Sequence, residues 1–338
     1  YYGAYVDFSC GLNKSEVSLI SLNKYAGETL SMLAEMLTDS TIPDKELDIF
    51  LSNRRQEFLV NNEKTAYLAR KKFSELLFGS DHPYANRVTE KDFTQVTASP
   101  VREFYHRHIN AHNCRIVACG NVDDHILQTL STQFSRLTVP AQSPEVREQP
   151  FAPARPGFYH IPKTDSIQSS IRIGKAGVRL TETDYAGFML LNTILGGYFG
   201  SRLMSNIREE KGYTYGIHSL NVSMPQGSSW YIATDVNNEY VEATIAEIQK
   251  EIRILQTQPV PEEELLLVKN FLHGDLLREV DGVFSQSDAL KHKLNYGLDN
   301  RFYAEIIRQI NACQAKDLLE LARKYLNTEE MYIVTAGK

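Results

Sequence analysis

Apolar and polar residues alternate at the start of the chain, in the pattern of two short strands joined by a polar turn. Every second residue from Ala4 to Phe8 is apolar, and Val17 and Leu19 repeat that spacing. Because successive side chains of a strand point to opposite faces of a sheet, this alternation predicts a hairpin over residues 2–22.

The spacing of apolar residues then changes to three or four, which predicts amphipathic helices. Leu30 and Leu37 belong to the first helical pattern, and Pro43 begins a second, longer one that extends to Leu59. Proline is well suited to this position because the first turn of a helix leaves its backbone N–H groups unpaired. Further along, the apolar run at 115–120 predicts a short buried strand.

The second half of the chain again mixes strands with helices. Its pattern predicts a strand at 167–173, a helix at 185–194, a helix at 201–211 that Gly212 ends, and a strand at 213–220. Strict alternation of strand and helix is absent. The sequence therefore predicts an α+β fold in which each half has a mostly antiparallel sheet covered by helices.

Segments of the first half recur in the second half at an offset between 213 and 218. The matching pairs are Tyr2-Gly3 with Tyr215-Gly216, IPDKEL at 42–47 with VPEEEL at 260–265, QVTA at 95–98 with QINA at 309–312, and IVACG at 116–120 with IVTAG at 333–337. This repeat predicts two homologous tandem domains. Residues 158–214 have no counterpart in the first half, so we expect the first domain to lack an N-terminal segment of 57 residues.

A proline-rich stretch separates the two predicted domains. Five prolines lie among small and polar residues at 140–156, and no hydrophobic period continues through them. Such a composition is typical of an extended, solvated linker. The sequence thus predicts a first domain at 1–139 and a second at 157–338.

Composition excludes several functional classes. The chain of 338 residues is 42% hydrophobic and 23% charged, with a formal net charge of -6. These values are typical of a globular protein and provide no basic surface for nucleic acid. No apolar run approaches the length that a membrane-spanning helix needs, so we expect no membrane span.

Arg208 and Tyr215 form the strongest candidate site. Arg208 lies in the last turn of a predicted helix, and Gly212 turns the chain into the strand that carries Tyr215. A strand that follows a helix end directly can bring the guanidinium and the phenol to one side of a cleft. Together they would donate several hydrogen bonds to a peptide carbonyl or to a developing oxyanion.

The sequence around this pair resembles that of a known family. The segments that carry the resemblance are LLNTILGGYFGSRL at 190–203, IREEKGYTY at 207–215, LAEMLTDST at 33–41 and LFGSDHPY at 77–84. They are similar to M16 (pitrilysin/insulinase) zinc peptidases, in particular to the short subfamily that includes mitochondrial processing peptidase subunits. The resemblance covers essentially the whole chain and implies two homologous domains, with Arg208 and Tyr215 holding the substrate.

The resemblance also implies a zinc site, which this sequence contains only in part. The family binds zinc through an inverted His-x-x-Glu-His motif and a distant Glu, whose counterpart here is Glu57. No His-x-x-Glu-His occurs in the 338 residues, and the motif would have to lie before Tyr1. Glu57 would therefore bind zinc only if a preceding segment supplied two histidines.

Two departures from the family pattern bear on the expected role. Zinc-bearing members carry a second Glu where this chain has DIFL at 48–51, and their substrate-pairing edge strand reads Asn-Ala-x-Thr. The corresponding edge-strand positions here are Asp7, Phe8, Ser9 and Cys10. An edge strand can still bind a peptide, because strand addition uses backbone groups.

Three functional hypotheses follow from the resemblance. In the first, the chain acts on peptides as the Arg/Tyr-bearing subunit of a homo- or heterodimer with a zinc-bearing M16 subunit. In the second, it is part of a complete zinc peptidase whose histidine motif precedes Tyr1. In the third, it is a non-catalytic scaffold, as the resemblance to core subunits of a respiratory complex allows.

Overall fold

The computed structural model describes residues 1–85, 87–139 and 148–338. Its strands are β1 (Tyr5–Cys10), β2 (Ser15–Ile20), β3 (Gly157–Pro162), β4 (Gln168–Lys175), β5 (Thr214–Met224), β6 (Gly227–Asn237) and β7 (Tyr332–Gly337). Its α-helices are α1 (Ala26–Thr38), α2 (Asp44–Asn62), α3 (Thr65–Phe78), α4 (Asp92–Gln95), α5 (Ala98–His108), α6 (Asp124–Phe134), α7 (Tyr185–Asn192), α8 (Val241–Thr257), α9 (Glu262–Arg278), α10 (Val283–Tyr296), α11 (Phe302–Ala312) and α12 (Ala315–Tyr325). Two π-helical segments cover Thr193–Gly197 and Met204–Glu210.

The predicted α+β class is confirmed, and most of the predicted elements form. β1 and β2 are the hairpin expected over residues 2–22, and α2 begins directly after Pro43. The helix expected at 185–194 is α7 together with the first π-helical segment, and the strand expected at 213–220 is the first part of β5.

The chain divides into two compact units, and each unit takes a segment from the other half of the sequence. Unit 1 comprises Tyr1–Leu59, Val88–Glu148 and Asp281–His292. Unit 2 comprises Val60–Arg87, Gln149–Val280 and Lys293–Lys338. The predicted domains at 1–139 and 157–338 are defined by the sequence repeat, whereas the two units are defined by contacts between residues. The units therefore do not test the predicted domains, which stay a prediction.

Unit 2 is built on a five-stranded sheet with the strand order β3-β7-β4-β6-β5. The β3–β7 pair is parallel and the other pairs are antiparallel. Side chains from one face of this sheet join those of the helices in one apolar core, in which Ile171, Trp230 and Ile232 are at most 1% exposed. Trp230 also donates its indole N–H to the side-chain oxygen of Asn192 at 2.7 Å, so α7 is fixed to the sheet.

Helix α3 covers part of the opposite face of the same sheet. Phe73, which is 1% exposed, packs its ring against Tyr231 of β6 and Tyr332 of β7. Ala69 and Leu76 lie on the same face of α3 and are also buried. This helix comes from the first half of the sequence, so the core of unit 2 is formed by both halves.

Unit 1 contains the β1–β2 hairpin and the helices α1, α4, α5 and α6. The side chain of Asn23 donates to the backbone oxygen of Asn121 at 2.6 Å, and the Tyr105 hydroxyl donates to the oxygen of Leu37 at 2.8 Å. Hydrogen bonds of this kind link segments that are distant in sequence.

The prediction of a buried strand at 115–120 is wrong. These residues form no strand, and all of them except Val117 are exposed. Their counterpart in the second half, β7, is held between β3 and β4 by hydrogen bonds on both sides. Among the described residues no strand pairs with the segment at 115–120, so it lacks the neighbours that hold β7 in a sheet.

Most described residues of the predicted linker are exposed, and part of the segment also forms hydrogen bonds with α3. Residues 140–147 lie outside the described residues, but 148–156 do not. Ala152 and Ala154 donate their backbone N–H groups to the oxygens of Phe78 and Leu76, at 3.1 and 2.8 Å. The last carbonyls of a helix have no partner within it, and α3 thus finds donors in this segment. The second part of the expected linker is therefore fixed to unit 2.

Candidate functional site

Arg208 is carried by a π-helical segment, Met204–Glu210, rather than by the predicted α-helix. The N–H of Lys211 reaches back five residues to the oxygen of Asn206 at 3.0 Å, which is the hydrogen bond that defines this wider helix. Gly212 follows with φ +67° and reverses the chain into β5. Segments of this geometry are uncommon, and they often occur at functional sites.

The π-helical segment is anchored by a side chain that the sequence analysis did not single out. Asn206, which is 7% exposed, donates to Glu247 at 2.9 Å and to Glu251 at 2.7 Å, both on α8. The hydrogen bond from Asn206, and then that from Lys250, lower the pKa of Glu247. Since buried amides are costly without partners, these bonds fix the position of the helix that carries Arg208.

Arg208 contacts the backbone of Tyr215 rather than its phenol. The Nε of Arg208 donates to the backbone oxygen of Tyr215 at 3.0 Å. The guanidinium carbon lies 4.7 Å from the centre of the Phe199 ring, a cation–π arrangement. Nη1 has only a long contact of 3.8 Å with Glu209. Within the described residues no hydrogen bond uses the outer guanidinium N–H groups, so they can donate to another molecule.

Tyr215 lies in a β-bulge at the start of β5. Thr214 is paired with Val236 and Ile217 with Thr234, so Tyr215 and Gly216 together face a single residue of β6. Tyr215 is 93% exposed. A bulge alters the direction of the side chain that it carries, and here it presents the phenol to solvent.

Two threonine hydroxyls hold this bulge in place. The hydroxyl of Thr234 donates to the oxygen of Gly216 at 2.9 Å and lies 2.8 Å from the hydroxyl of Thr214. The hydroxyl of Thr214 lies 3.1 Å from the N–H of Gly216, which donates to it. These bonds replace the ladder bonds that the bulge interrupts, and sequence spacing gave no sign of them.

β5 is an edge strand of the unit 2 sheet. It pairs with β6 on one side only, and the other side forms no ladder within the described part of the chain. An edge strand presents a row of backbone N–H and C=O groups, which an extended peptide can pair with. The predicted substrate-holding pair therefore lies beside backbone groups that could extend the sheet.

The predicted substrate edge strand of the first half lies in β1. Asp7, Phe8, Ser9 and Cys10 pair with residues 15–18 of β2, and all four are exposed. β1 has no second neighbour among the residues that the structure describes. Its proposed role in binding peptides stays a prediction.

Glu57 lies on α2 as a solvent-exposed carboxylate. Its side chain is 58% exposed and forms an ion pair with Arg54 at 2.8 Å. Within the described ranges, no three His, Cys, Asp or Glu side chains are placed to hold a metal ion. The described residues alone therefore do not fit a zinc site, and the role of Glu57 stays a prediction that depends on a preceding segment.

No helix among the described residues is long and apolar enough to cross a membrane.

Comparison with known proteins defines the family. The profile described as "Peptidase M16 inactive domain" matches residues 95–272, which is more than half of the chain. The chain is 23% identical over 314 residues to the uncharacterized zinc protease YmxG of Bacillus subtilis strain 168, a match that covers 91% of the chain and 75% of the relative. It is 20% identical over 321 residues to the non-peptidase homolog YmxG of Helicobacter pylori strain 26695, covering 94% of the chain and 73% of the relative.

A solved structure shows the same fold. The peptidase M16 inactive domain from Pseudomonas fluorescens superposes with a TM-score of 0.88 at 24% identity, covering 99% of the chain and 81% of that protein. The chain belongs to the M16 peptidase family. Its relatives include proteins described as zinc proteases and one described as a non-peptidase.

Proposed function

We propose that the chain is the Arg/Tyr-bearing subunit of an M16-type zinc peptidase and that it holds an extended peptide for a zinc-bearing partner. The observation that carries this proposal is the placement of Arg208 and Tyr215 at one bulge on an edge strand. The name of the Bacillus subtilis relative, a zinc protease, supports the peptidase class.

The two side chains offer hydrogen-bond donors to a peptide. Arg208 uses Nε for the Tyr215 backbone, so its outer N–H groups remain for a substrate carbonyl. The phenol of Tyr215 is exposed and can donate a further bond. Donors held in place before the reaction stabilise the negative charge that forms on the carbonyl oxygen as a peptide bond is attacked.

The free edge of β5 would align the peptide with these donors. Strand addition fixes the peptide backbone through N–H···O bonds and leaves alternate side chains on either face of the sheet. The exposed β1 strand at Asp7–Cys10 could bind an extended peptide in the same way. An extended peptide is thus the ligand that these surfaces fit best.

A non-catalytic scaffold is the second candidate function. The similarity to a relative described as a non-peptidase favours it, and so does the lack of a metal-binding cluster in the described part of the chain. A scaffold would bind its partner without needing the Arg208 and Tyr215 side chains. The two candidate functions can therefore be distinguished by removing the Arg208 and Tyr215 side chains.

The test compares the double variant Arg208→Ala/Tyr215→Phe with the unchanged chain. Each is mixed with a candidate zinc-bearing M16 subunit, and cleavage of a quenched fluorescent peptide is followed. We expect kcat/KM to fall about a hundredfold or more in the variant, because removal of one such donor alone can cost that much. Association with the partner, measured by analytical ultracentrifugation, should not change.

Arg301→Ala provides the matched control, because the Arg301 side chain is 89% exposed and its ion pair among the described residues is with nearby Asp299. The control should cleave the peptide like the unchanged chain. Equal cleavage by the double variant and the control would overturn the proposed role and favour the scaffold.

A further inference from the structure

A second group of polar side chains lies on the face of the unit 2 sheet that α3 covers in part. Arg172 of β4 is paired with Ala233 of β6, which is paired with His218 of β5. The three residues form one row across the sheet, so their side chains share a face. Two strand spacings separate Arg172 from His218, which is about 10 Å. Ala233 is partly exposed and has only a methyl side chain, so the space above it, called the depression below, is open to solvent.

Aromatic rings hold the guanidinium of Arg172 in this position. Its central carbon lies 4.0 Å from the centre of the Tyr231 ring and 5.9 Å from that of Phe73. Phe73, on the sheet-facing side of α3, is 1% exposed. Packing between rings restricts the side chain and removes part of its hydration, which makes its charge more available to an anion.

Arg172 forms no ion pair with any carboxylate that the structure describes. The nearest candidate is Asp235 of β6, whose carboxylate instead accepts a hydrogen bond from the hydroxyl of Ser170. Burial lowers the pKa of Arg172, the phenol of Tyr231, which is also its hydrogen-bond partner, acts in the opposite direction, and the like charge of Arg70 on α3 lowers it further. A half-buried guanidinium without a carboxylate partner is uncommon, because burying a charge is costly unless it is paired.

His218 contributes to the same environment. Burial, and then the positive charge of Arg172, lower the pKa of His218 below its ordinary value, while Asp235 acts in the opposite direction. The imidazole is therefore neutral near pH 7 and has one N–H to donate. The charged groups that influence Arg172 are Arg70, which is positive, and Asp235, which is negative.

We propose that this depression binds a carboxylate of the peptide substrate, between Arg172 and His218 and above Ala233. The carboxylate belongs to an acidic side chain or to the peptide's C-terminus. This inference rests on the proposed function in that it names a chemical feature of the same substrate. A guanidinium and a neutral imidazole N–H together suit a carboxylate, which accepts hydrogen bonds at both oxygens.

Along the strand direction, the spacing between Tyr215 and the depression matches the spacing of side chains in one extended peptide. Tyr215 faces Asp235 across the bulge, and Asp235 lies two residues from Ala233 along β6. Two residues of a strand span about 7 Å, which is the spacing of alternate side chains in an extended peptide. A peptide paired with the free edge of β5 lies two strand spacings from β6, which is about 10 Å, so its C-terminal residue or a long acidic side chain must extend across β5 to bring a carboxylate into the depression.

The test measures binding of fluorescein-labelled peptides to the 338-residue chain by anisotropy. One parent peptide carries a single Glu and a free C-terminus, a second has that Glu replaced by Gln, and a third has an amidated C-terminus. We expect one of the two changed peptides to bind about tenfold more weakly than the parent, since a charge-assisted hydrogen bond is lost. The peptide that weakens identifies the source of the carboxylate.

Arg172→Gln should remove this discrimination between peptides, and Arg172→Lys should restore part of it. Ala233→Leu fills the depression while retaining Arg172, so it should also remove the discrimination even if Arg172→Gln affects folding. Arg179→Gln is the control, because Arg179 is an exposed arginine of unit 2 that pairs with Glu182. Thermal unfolding of each variant checks that it is folded.

Failure of this inference can be told apart from failure of the proposed function. The carboxylate site is overturned if the unchanged chain binds all three peptides equally or not at all, or if the discrimination survives both Arg172→Gln and Ala233→Leu. If the discrimination depends on Arg172 but Arg208→Ala/Tyr215→Phe leaves cleavage intact, the carboxylate site stands and the proposed function fails.

Discussion

Asp184 shows how a single carboxylate connects two helices of unit 2. It precedes α7 at the N-cap position, yet its side chain does not cap that helix. Instead it accepts bonds from Lys324 Nζ at 2.6 Å and from the Tyr325 hydroxyl at 2.8 Å, both on α12. The hydrogen bond from Lys324, and then that from Tyr325, lower the pKa of Asp184.

We predict that Asp184→Asn lowers the free energy of unfolding at pH 7 by about 1 kcal/mol, because Lys324 is exposed and the pair is screened by solvent. A carboxyl whose pKa is lower in the folded state stabilises the fold above its unfolded pKa, and this contribution is lost as the pH falls through the folded pKa. The difference between variant and parent should therefore shrink between about pH 5 and pH 3.

Urea unfolding at a series of pH values measures this difference. Asp48→Asn, which changes an exposed carboxylate of α2, is the control and should leave the stability at pH 7 within experimental error. A deficit of Asp184→Asn that stays constant down to pH 3 would contradict the assignment.

At the scale of elements, the turn between the π-helical segment and β5 depends on one glycine. Gly212 has φ +67°, and a Cβ added there would meet no atom within 4 Å. A larger residue at position 212 would therefore destabilise the fold through backbone strain and not through steric clashes. Gly274, in the middle of α9, also has open space around it, but its backbone is helical.

We predict opposite effects for the same substitution at these two positions. Gly212→Ala should lower the free energy of unfolding by about 1 kcal/mol, because a left-handed conformation is strained for residues other than glycine. Gly274→Ala should raise it by about 0.5–1 kcal/mol, because alanine favours a helix. Urea midpoints of the two variants test this, and shifts in the same direction would contradict it.

At the scale of elements, part of the candidate site could be predicted from the sequence and part of it could not. Arg208, Gly212 and Tyr215 are close in sequence, so a helix, a turn and a strand could be predicted from spacing alone. The π-helical hydrogen bonds could not, because one residue more per turn hardly changes an apolar pattern over seven residues. The row of Arg172, Ala233 and His218 depends on the register of three strands, which no local pattern indicates.

Long-range pairing also explains the wrong prediction at 115–120. The apolar run there matches that of β7, and local pattern cannot distinguish them. What differs is the presence of neighbouring strands, and a strand is stable only when its backbone groups are paired. The fold class and most elements were thus predictable, whereas the pairing of distant segments was not.

At the scale of the whole molecule, each compact unit includes a segment from the other half of the sequence, and this determines how the cores are formed. α3 and α10 each have 14 residues and are separated by 218 positions, the offset that also relates α2 to α9. α3 belongs to unit 2, and most of α10 belongs to unit 1. In unit 1, Lys291 of α10 forms an ion pair with Glu16 of β2, and hydrogen bonds from Lys14 and Lys291 lower the pKa of Glu16.

We predict that Phe73→Ala destabilises a sheet whose five strands all come from the second half of the sequence. The expected loss is about 3–5 kcal/mol, as for other buried aromatic residues truncated to alanine. Hydrogen exchange should show reduced protection in β4 and β7, against which α3 packs.

The control for Phe73→Ala is Phe284→Ala, because Phe284 is 64% exposed and loses little buried area. It should change the free energy of unfolding by less than about 1 kcal/mol. Faster exchange confined to α3 itself in Phe73→Ala would contradict a shared core.

The strand order of unit 2 has a consequence for synthesis on the ribosome. β7, at Tyr332–Gly337, lies between β3 and β4, and α3 at Thr65–Phe78 packs on the same sheet. Translation therefore completes α3 more than 200 residues before β7, one of the two strands that it packs against. Until then α3 exposes an apolar face, and the sheet lacks an inner strand. The nascent chain would thus need protection from aggregation until β7 has emerged.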